Sequence, residues 1–225
     1  MRYLFLWLFL AQPLAAQTFS VTHEKRFRGD GRGTIEVTDE GIRYSSERPE
    51  DSRNWPYRDI QHLDRISPRE FVLLSYEDET RYLGRDRSYR FVLTEGELTD
   101  AIFEKISRRL GRPVTDRVVP DKVAPEHAVP VKHNHTFGGC EGVLRFTGDA
   151  IVYDTENRRD ARVWKLGRDI GSVWSRDRYH LEIHVYENNR RKFGRTRAYD
   201  FSLKAPLDPA LYKELRLRLY DLEAE

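Results

Sequence analysis

The 225 residues contain a single cysteine, Cys140. No internal disulfide is available, even in an oxidising compartment, so each folding unit must hold itself by its own core. Paired-cysteine motifs are absent, as are a nucleophile elbow, a glycine-rich phosphate loop and a zinc-protease helix. Charge of one sign is absent too: 39 basic and 37 acidic residues give a formal net charge of +2. A nucleic-acid binder needs a strongly basic balance, so no nucleic-acid partner is expected. After the first 16 residues no apolar run could span a bilayer. These absences remove the enzyme classes that carry short signatures and leave binding or scaffold roles first. An uncharacterised enzyme without such a signature is the third reading.

Residues 1–16 read as a separate object. Arg2 supplies a positive start, Tyr3 to Ala11 is almost wholly apolar, Gln12-Pro13 breaks the run, and Leu14-Ala15-Ala16 offers a small-residue cut site. That is the pattern of a secretory signal peptide, with cleavage expected after Ala16. A retained anchor is the alternative, although the run is far shorter than the roughly 20 residues a spanning helix needs. The expectation is an exported chain, periplasmic or secreted.

What is present is a duplication. Residues 33–55 lie over 142–164 at a constant offset of 109, and eight of these 23 positions are identical: Gly33/Gly142, Thr38/Thr147, Ile42/Ile151, Tyr44/Tyr153, Glu47/Glu156, Asp51/Asp160, Arg53/Arg162 and Trp55/Trp164. The offset then becomes 110. Arg58-Asp59-Ile60 meets Arg168-Asp169-Ile170, Tyr76-Glu77 meets Tyr186-Glu187, and Gly84-Arg85-x-Arg87-x-Tyr89 meets Gly194-Arg195-x-Arg197-x-Tyr199. A period near 110 is too long for a solenoid and right for a whole small domain. Domains are therefore expected over 17–112 and 131–225. A linker over 113–130 is marked by Pro113, Pro120, Pro125 and Pro130, with Val118, Val119, Val123 and Val129 able to lie along a domain surface.

Within each copy, short alternating segments read as six or seven antiparallel strands. Thr94-x-x-Glu97 is a possible capping box for a helix that Leu98, Ala101, Ile102, Ile106 and Leu110 stripe and Gly111-Arg112-Pro113 ends. In the second copy Asp208-Pro209 starts the helix, with the stripe Leu211, Leu215, Leu219 and Leu222. Each copy resembles a pleckstrin-homology-like domain of the divergent bacterial kind. The residues carrying the resemblance are Gly33-x-Ile35-x-Val37-Thr38-x-x-Gly41-Ile42-x-Tyr44, Trp55-x-Tyr57-x-Asp59-Ile60 and Tyr89-x-Phe91-x-Leu93 with the helix. Their counterparts are Gly142-x-Leu144-x-Phe146-Thr147, Ile151-x-Tyr153, Trp164, Asp169-Ile170 and Tyr199-x-Phe201-x-Leu203. The resemblance implies a mainly β fold with one C-terminal helix per domain: two tandem, partly open antiparallel barrels. It specifies little about function, because such barrels host lipid, peptide and protein binding alike.

In lipid-binding members of that family, basic residues of the first hairpin loop hold phosphates. Copy one has Lys25, Arg26, Arg28 and Arg32 there, diluted by Glu24 and Asp30, whereas copy two has Asn134, Thr136, Gly138, Gly139 and Cys140. The repeated Arg85, Arg87, Arg195 and Arg197 can fork around an anion. They can equally pair with neighbouring acids such as Asp59 and Asp169, and retention in both copies favours that structural role. Arg190, Arg191 and Lys192 make copy two's loop the candidate for an anionic membrane surface. His133 and His135, two apart on one strand face, form with Cys140 an incomplete metal set, and His180 and His184 flank Glu182 in a second one. Ordinary strand histidines, with Cys140 packed as a small apolar group, are the simpler reading, and no cofactor is expected. The leading functional reading is a non-catalytic exported module recognising a protein or peptide of the cell envelope. Its rival is a peripheral membrane binder.

Overall fold

A computed structural model describes residues 16–25, 29–79, 84–121, 124–187 and 196–221. The first unit contains β1 (Gln17–Glu24), β2 (Gly31–Val37), β3 (Gly41–Ser46), β4 (Arg53–Pro56), β5 (Ile60–Ser67), β6 (Glu70–Asp78), β7 (Asp86–Leu93), α1 (Asp100–Leu110) and the two-residue β8 (Thr115–Asp116). The second contains β9 (His127–Asn134), β10 (Gly139–Phe146), β11 (Ala150–Asp154), β12 (Arg162–Lys165), β13 (Ile170–Trp174), β14 (His180–Val185), β15 (Arg197–Leu203) and α2 (Pro209–Asp221). Strand order in the first sheet is β4-β3-β2-β1-β7-β6-β5-β8, and in the second β12-β11-β10-β9-β15-β14-β13. Apart from β8 the two orders are the same. Neither sheet closes on itself, so the fold is mainly β, two partly open antiparallel units each ended by one helix, as the resemblance implies. No strand of one unit enters the other's sheet among the described residues.

Alternation explains how each sheet curls. The inward residues of all seven strands and of α1 fall into one cluster that includes Val21, Ile35, Tyr44, Trp55, Leu63, Leu73, Phe91 and Ile106. The second cluster repeats it with Val131, Leu144, Tyr153, Trp164, Val173, Ile183, Phe201 and Leu215. Only a curled sheet brings strands from both edges around one core. Each helix plugs the opening with its apolar stripe. The repeated glycines have a steric cause: a Cβ at Gly33 would lie 2.2 Å from the Ser45 carbonyl oxygen, and one at Gly142 would lie 2.4 Å from that of Asp154. One small apolar cavity of about 10 Å³, lined by Phe19, Phe71 and Leu98 among others, sits in the first core. It is too small for a ligand.

Helix α1 is capped by Thr99, whose side chain accepts from the Ile102 N–H, and not by Thr94. The Thr94 N–H is committed to the Ser20 carbonyl, which continues the strand ladder past β7. The stop at Gly111 is as read, with φ of 60° in the left-handed region where glycine carries no penalty. Asp208 accepts from the Ala210 N–H at 2.8 Å and starts α2 with Pro209. Leu222 and residues 1–15 lie outside the described residues.

The segment from 113 to 130 is structured at both ends. His127 to Pro130 already belong to β9, where Pro130 faces Val143 of β10. At the other end β8 pairs in parallel with β5, Asp64 facing Thr115 and Arg65 facing Asp116. Val114 enters the first core.

Candidate functional site

Glu77, next to last in β6, and Glu187, two residues past the end of β14, stand at equivalent sequence positions, and each gathers four of the repeated polar residues. Glu187 accepts from Arg162 Nε at 2.7 Å, from Trp164 Nε1 at 3.2 Å and from the Tyr199 hydroxyl at 2.8 Å. Glu77 accepts from Trp55 Nε1 and the Tyr89 hydroxyl, both at 2.7 Å, and lies 3.5 Å from Arg53 Nε. Arg87 and Arg197 complete the two rings at 3.6 and 3.5 Å from the same carboxylates. Arg197 also stacks over Tyr199. Acid pairing of the repeated arginines is therefore present, but with Glu77 and Glu187 instead of Asp59 and Asp169. Cross-strand register sets those partners. Burial by itself would raise the Glu187 carboxyl, but the charge and hydrogen bond of Arg162, the Tyr199 hydroxyl and the charge of Arg197 hold it below the usual range. Arg85 is exposed at the start of the same segment. Arg190, Arg191, Lys192 and Arg195 lie outside the described residues, as do Arg26 and Arg28. Lys25 is engaged by Asp51.

The β9–β10 hairpin brings the histidines and the cysteine together, and a fourth side chain joins them. His133 faces Cys140 in the strand register, and His135 follows on the same side. Asp160, in the loop between β11 and β12, is turned inward by Asn157, which donates to its Oδ2 at 2.6 Å. Cys140 Sγ is 3.4 Å from His135 Nε2, 3.9 Å from His133 Nδ1 and 3.4 Å from Asp160 Oδ2. His135 Nε2 is 3.3 Å from the same carboxylate oxygen. One ligand atom from each of the four residues lies within 4.8 Å of every other. Tyr153 adds its hydroxyl 3.1 Å from the sulfur. His133 is buried and held neutral, its pKa lowered to about 4 by desolvation and by the neighbouring His135. The second histidine group forms as His180, Glu182 and Asp200. His184 instead bonds Glu182 alone, at 2.8 Å.

A third feature joins the units. The segment 113–117 is gripped from both sides. Arg65 donates to the two oxygens of Asp116 at 2.8 and 2.7 Å, and Arg117 makes the reciprocal fork to Asp64 at 2.9 and 2.5 Å. From the second unit, buried Asp169 accepts the Val114 N–H at 3.1 Å, and Arg168 bridges Asp169 and Glu104 of α1. The fold thus holds an extended chain segment on its β5 edge. The equivalent edge of the second unit, β13, carries no further strand among the described residues. Trp174, 50% exposed, stands at its end, and Tyr179 and Tyr186 are exposed as well. The Tyr186 ring lies against Gly171, where a Cβ would come within 2.9 Å of it. No described helix is long and apolar enough to cross a membrane.

No protein-family model and no curated protein matches the chain. Among solved structures it is similar to the Spt16D–Pob3N heterodimer, at 9% sequence identity and a TM-score of 0.29, over 76% of this chain and 84% of that one. A likeness of that degree carries no argument about function.

Proposed function

We propose that the chain is a non-catalytic, exported binding module that takes an extended segment of an envelope protein or peptide along the β13 edge. What supports this reading above all is that the duplicated edge, β5, already holds such a segment, β8, by strand pairing. An exposed strand edge offers unpaired N–H and C=O groups, and a peptide added there gains main-chain hydrogen bonds while side chains set the choice of ligand. The preferred ligand differs from β8. The positions of Asp64 and Arg65 correspond to Trp174 and Ser175, so the forked ion pairs of β5 have no counterpart and aromatic contact replaces them. An apolar or aromatic segment fits that edge. The leader-like residues 1–16 support export.

The test places a photo-crosslinking residue at position 174 in the native envelope and measures binding of synthetic peptides from the protein it captures. Capture followed by binding that Trp174→Lys weakens at least about tenfold upholds the reading, since lysine on an edge strand blocks pairing. Crosslinks to lipid alone, or peptide affinity unchanged by Trp174→Lys, refute it. Liposome binding that disappears on neutralising Arg190, Arg191 and Lys192 would put the anionic membrane surface in its place.

A further inference from the structure

Four positions in the second unit invite comparison with their duplicates. His133, His135, Cys140 and Asp160 correspond to His23, Lys25, Gly31 and Asp51. In the first unit the Lys25 ammonium sits on the Asp51 carboxylate, so a covalently attached cation neutralises the acid. Gly31 leaves room there: a Cβ would meet the Lys25 side chain at 3.8 Å and the Tyr44 hydroxyl at 3.1 Å. The second unit keeps the histidine and the carboxylate. It loses the ammonium and gains an imidazole and a thiol around the same point. The duplication has exchanged a resident cation for two side chains of metal-ligating type.

A nucleophilic role does not fit the geometry. In a nucleophilic Cys-His-Asp arrangement the thiol and the carboxylate meet opposite nitrogens of the imidazole. Here both meet Nε2 of His135.

We infer that His133, His135, Cys140 and Asp160 form a tetrahedral site for zinc(II) or a similar borderline divalent ion. Bonds of about 2.0–2.1 Å to nitrogen, 2.3 Å to sulfur and 2.0–2.2 Å to oxygen imply ligand separations of about 3.4–3.6 Å around a tetrahedron. Four of the six ligand separations are 3.3, 3.4, 3.4 and 3.9 Å, around that range, and all six lie within 4.8 Å. One thiolate and two imidazoles select a borderline ion over calcium or magnesium, which take oxygen ligands. Asn157 on Asp160 and Tyr153 near the sulfur are the outer partners that orient such ligands. Four protein ligands leave no open position, so the ion is structural. It ties the β9–β10 tip, with its 95% exposed Phe137, to the β11–β12 loop. This inference is independent of the peptide-binding reading.

The test uses untagged chain, stripped with a chelator and titrated with zinc(II) against a chromophoric competitor and with cobalt(II) alone. Expected are one equivalent bound, a cobalt spectrum with tetrahedral ligand-field bands and a thiolate charge-transfer band, and a melting temperature raised by the metal. His135→Lys is the informative variant, because the first unit already seats a lysine, Lys25, beside the equivalent aspartate, Asp51, so the unit should fold without metal. Zinc affinity should fall by about a hundredfold or more, beyond what outer-partner changes cost, and the metal-dependent rise in melting temperature should vanish. Cys140→Ser should remove the charge-transfer band. Absence of stoichiometric binding, an octahedral cobalt spectrum without the sulfur band, equal affinity in His135→Lys, or loss of binding on His180→Ala alone overturns the assignment.

Discussion

The two glutamate-centred rings are the same chemistry at two degrees of burial, which makes them a controlled experiment. The Glu187 side chain is 5% exposed and that of its partner Arg162 2%, against 35% for Glu77 and 29% for Arg53. Glu187→Gln removes the charge and keeps one acceptor oxygen, either for Arg162 Nε and Trp164, which share Oε1, or for Tyr199, which uses Oε2. A buried guanidinium then loses its counter-charge, although it keeps the Arg159 and Ala161 carbonyls at 2.6 and 2.8 Å. Breaking one side of a buried pair costs about 3–5 kcal/mol. Glu77→Gln leaves an Arg53 that water can reach, and a solvent-accessible pair contributes about 0–1 kcal/mol. The two substitutions should therefore differ by at least about 2 kcal/mol. Urea unfolding followed by far-UV circular dichroism, with the second unit's transition fitted separately, reads the difference. Adding Arg162→Met to Glu187→Gln should recover part of the loss, since removing both charges removes the uncompensated one. Equal losses in the two units, within about 0.5 kcal/mol, would refute the argument that burial decides the value of this ring.

Leu215 lies at the centre of the buried α2 stripe at 2% exposure, and Leu215→Ala should cost about 2–5 kcal/mol in chemical denaturation. Asp116→Asn should destabilise by about 2 kcal/mol, less than a full buried-pair loss because Arg65 keeps Asp100, and should speed proteolysis between residues 113 and 126. His23 is packed among Tyr44, Tyr89 and Phe91, and its pKa is lowered to about 4 by burial and by Lys25. The unfolded chain then binds a proton below about 6.5 that the folded chain refuses, so stability declines as pH falls from about 6.5 to about 4. His23→Phe should reduce that decline by about 1–2 kcal/mol after solvent screening. His133, lowered to about 4 like His23, keeps part of that decline in the His23→Phe variant. Glu187, held low, keeps its contribution above its ordinary value of about 4.5 and loses it only on further acidification.

The fold was legible because duplication marks what a barrel cannot do without. Gly33/Gly142 recur because the backbone allows no Cβ, and Arg53/Arg162 with Trp55/Trp164 recur because they bind one carboxylate. The identity of that carboxylate was not legible. Glu77 is 22 residues from Trp55 and 12 from Tyr89, and only sheet register brings the three together, so the sequence does not rank it above other repeated acids such as Asp59. Thr94 looked like a helix cap because the local pattern cannot show that its N–H is already bonded to Ser20. The metal-ligand set lacked its fourth member for the same reason. Asp160 lies 20 residues beyond Cys140, and nothing local points it at the hairpin. Its signal was the identity with Asp51 combined with the change from Lys25 to His135.

The grip on residues 113–117 also has a mechanical meaning. Pulled from its two ends, the chain carries load from α1 to β9 through this segment. β8 is held over only two ladder positions and its ionic forks, whereas each sheet is a continuous seven-strand ladder. The joint should peel first, and it should do so reversibly, since apart from Val114 neither core has opened. The 14 residues from 113 to 126 would then extend to at most about 50 Å at roughly 3.3–3.6 Å each. Tension would thus separate the two units while each keeps its own core, and a stretched molecule would expose both faces of the joint, the bare β5 edge and the Asp169 carboxylate, as new surface.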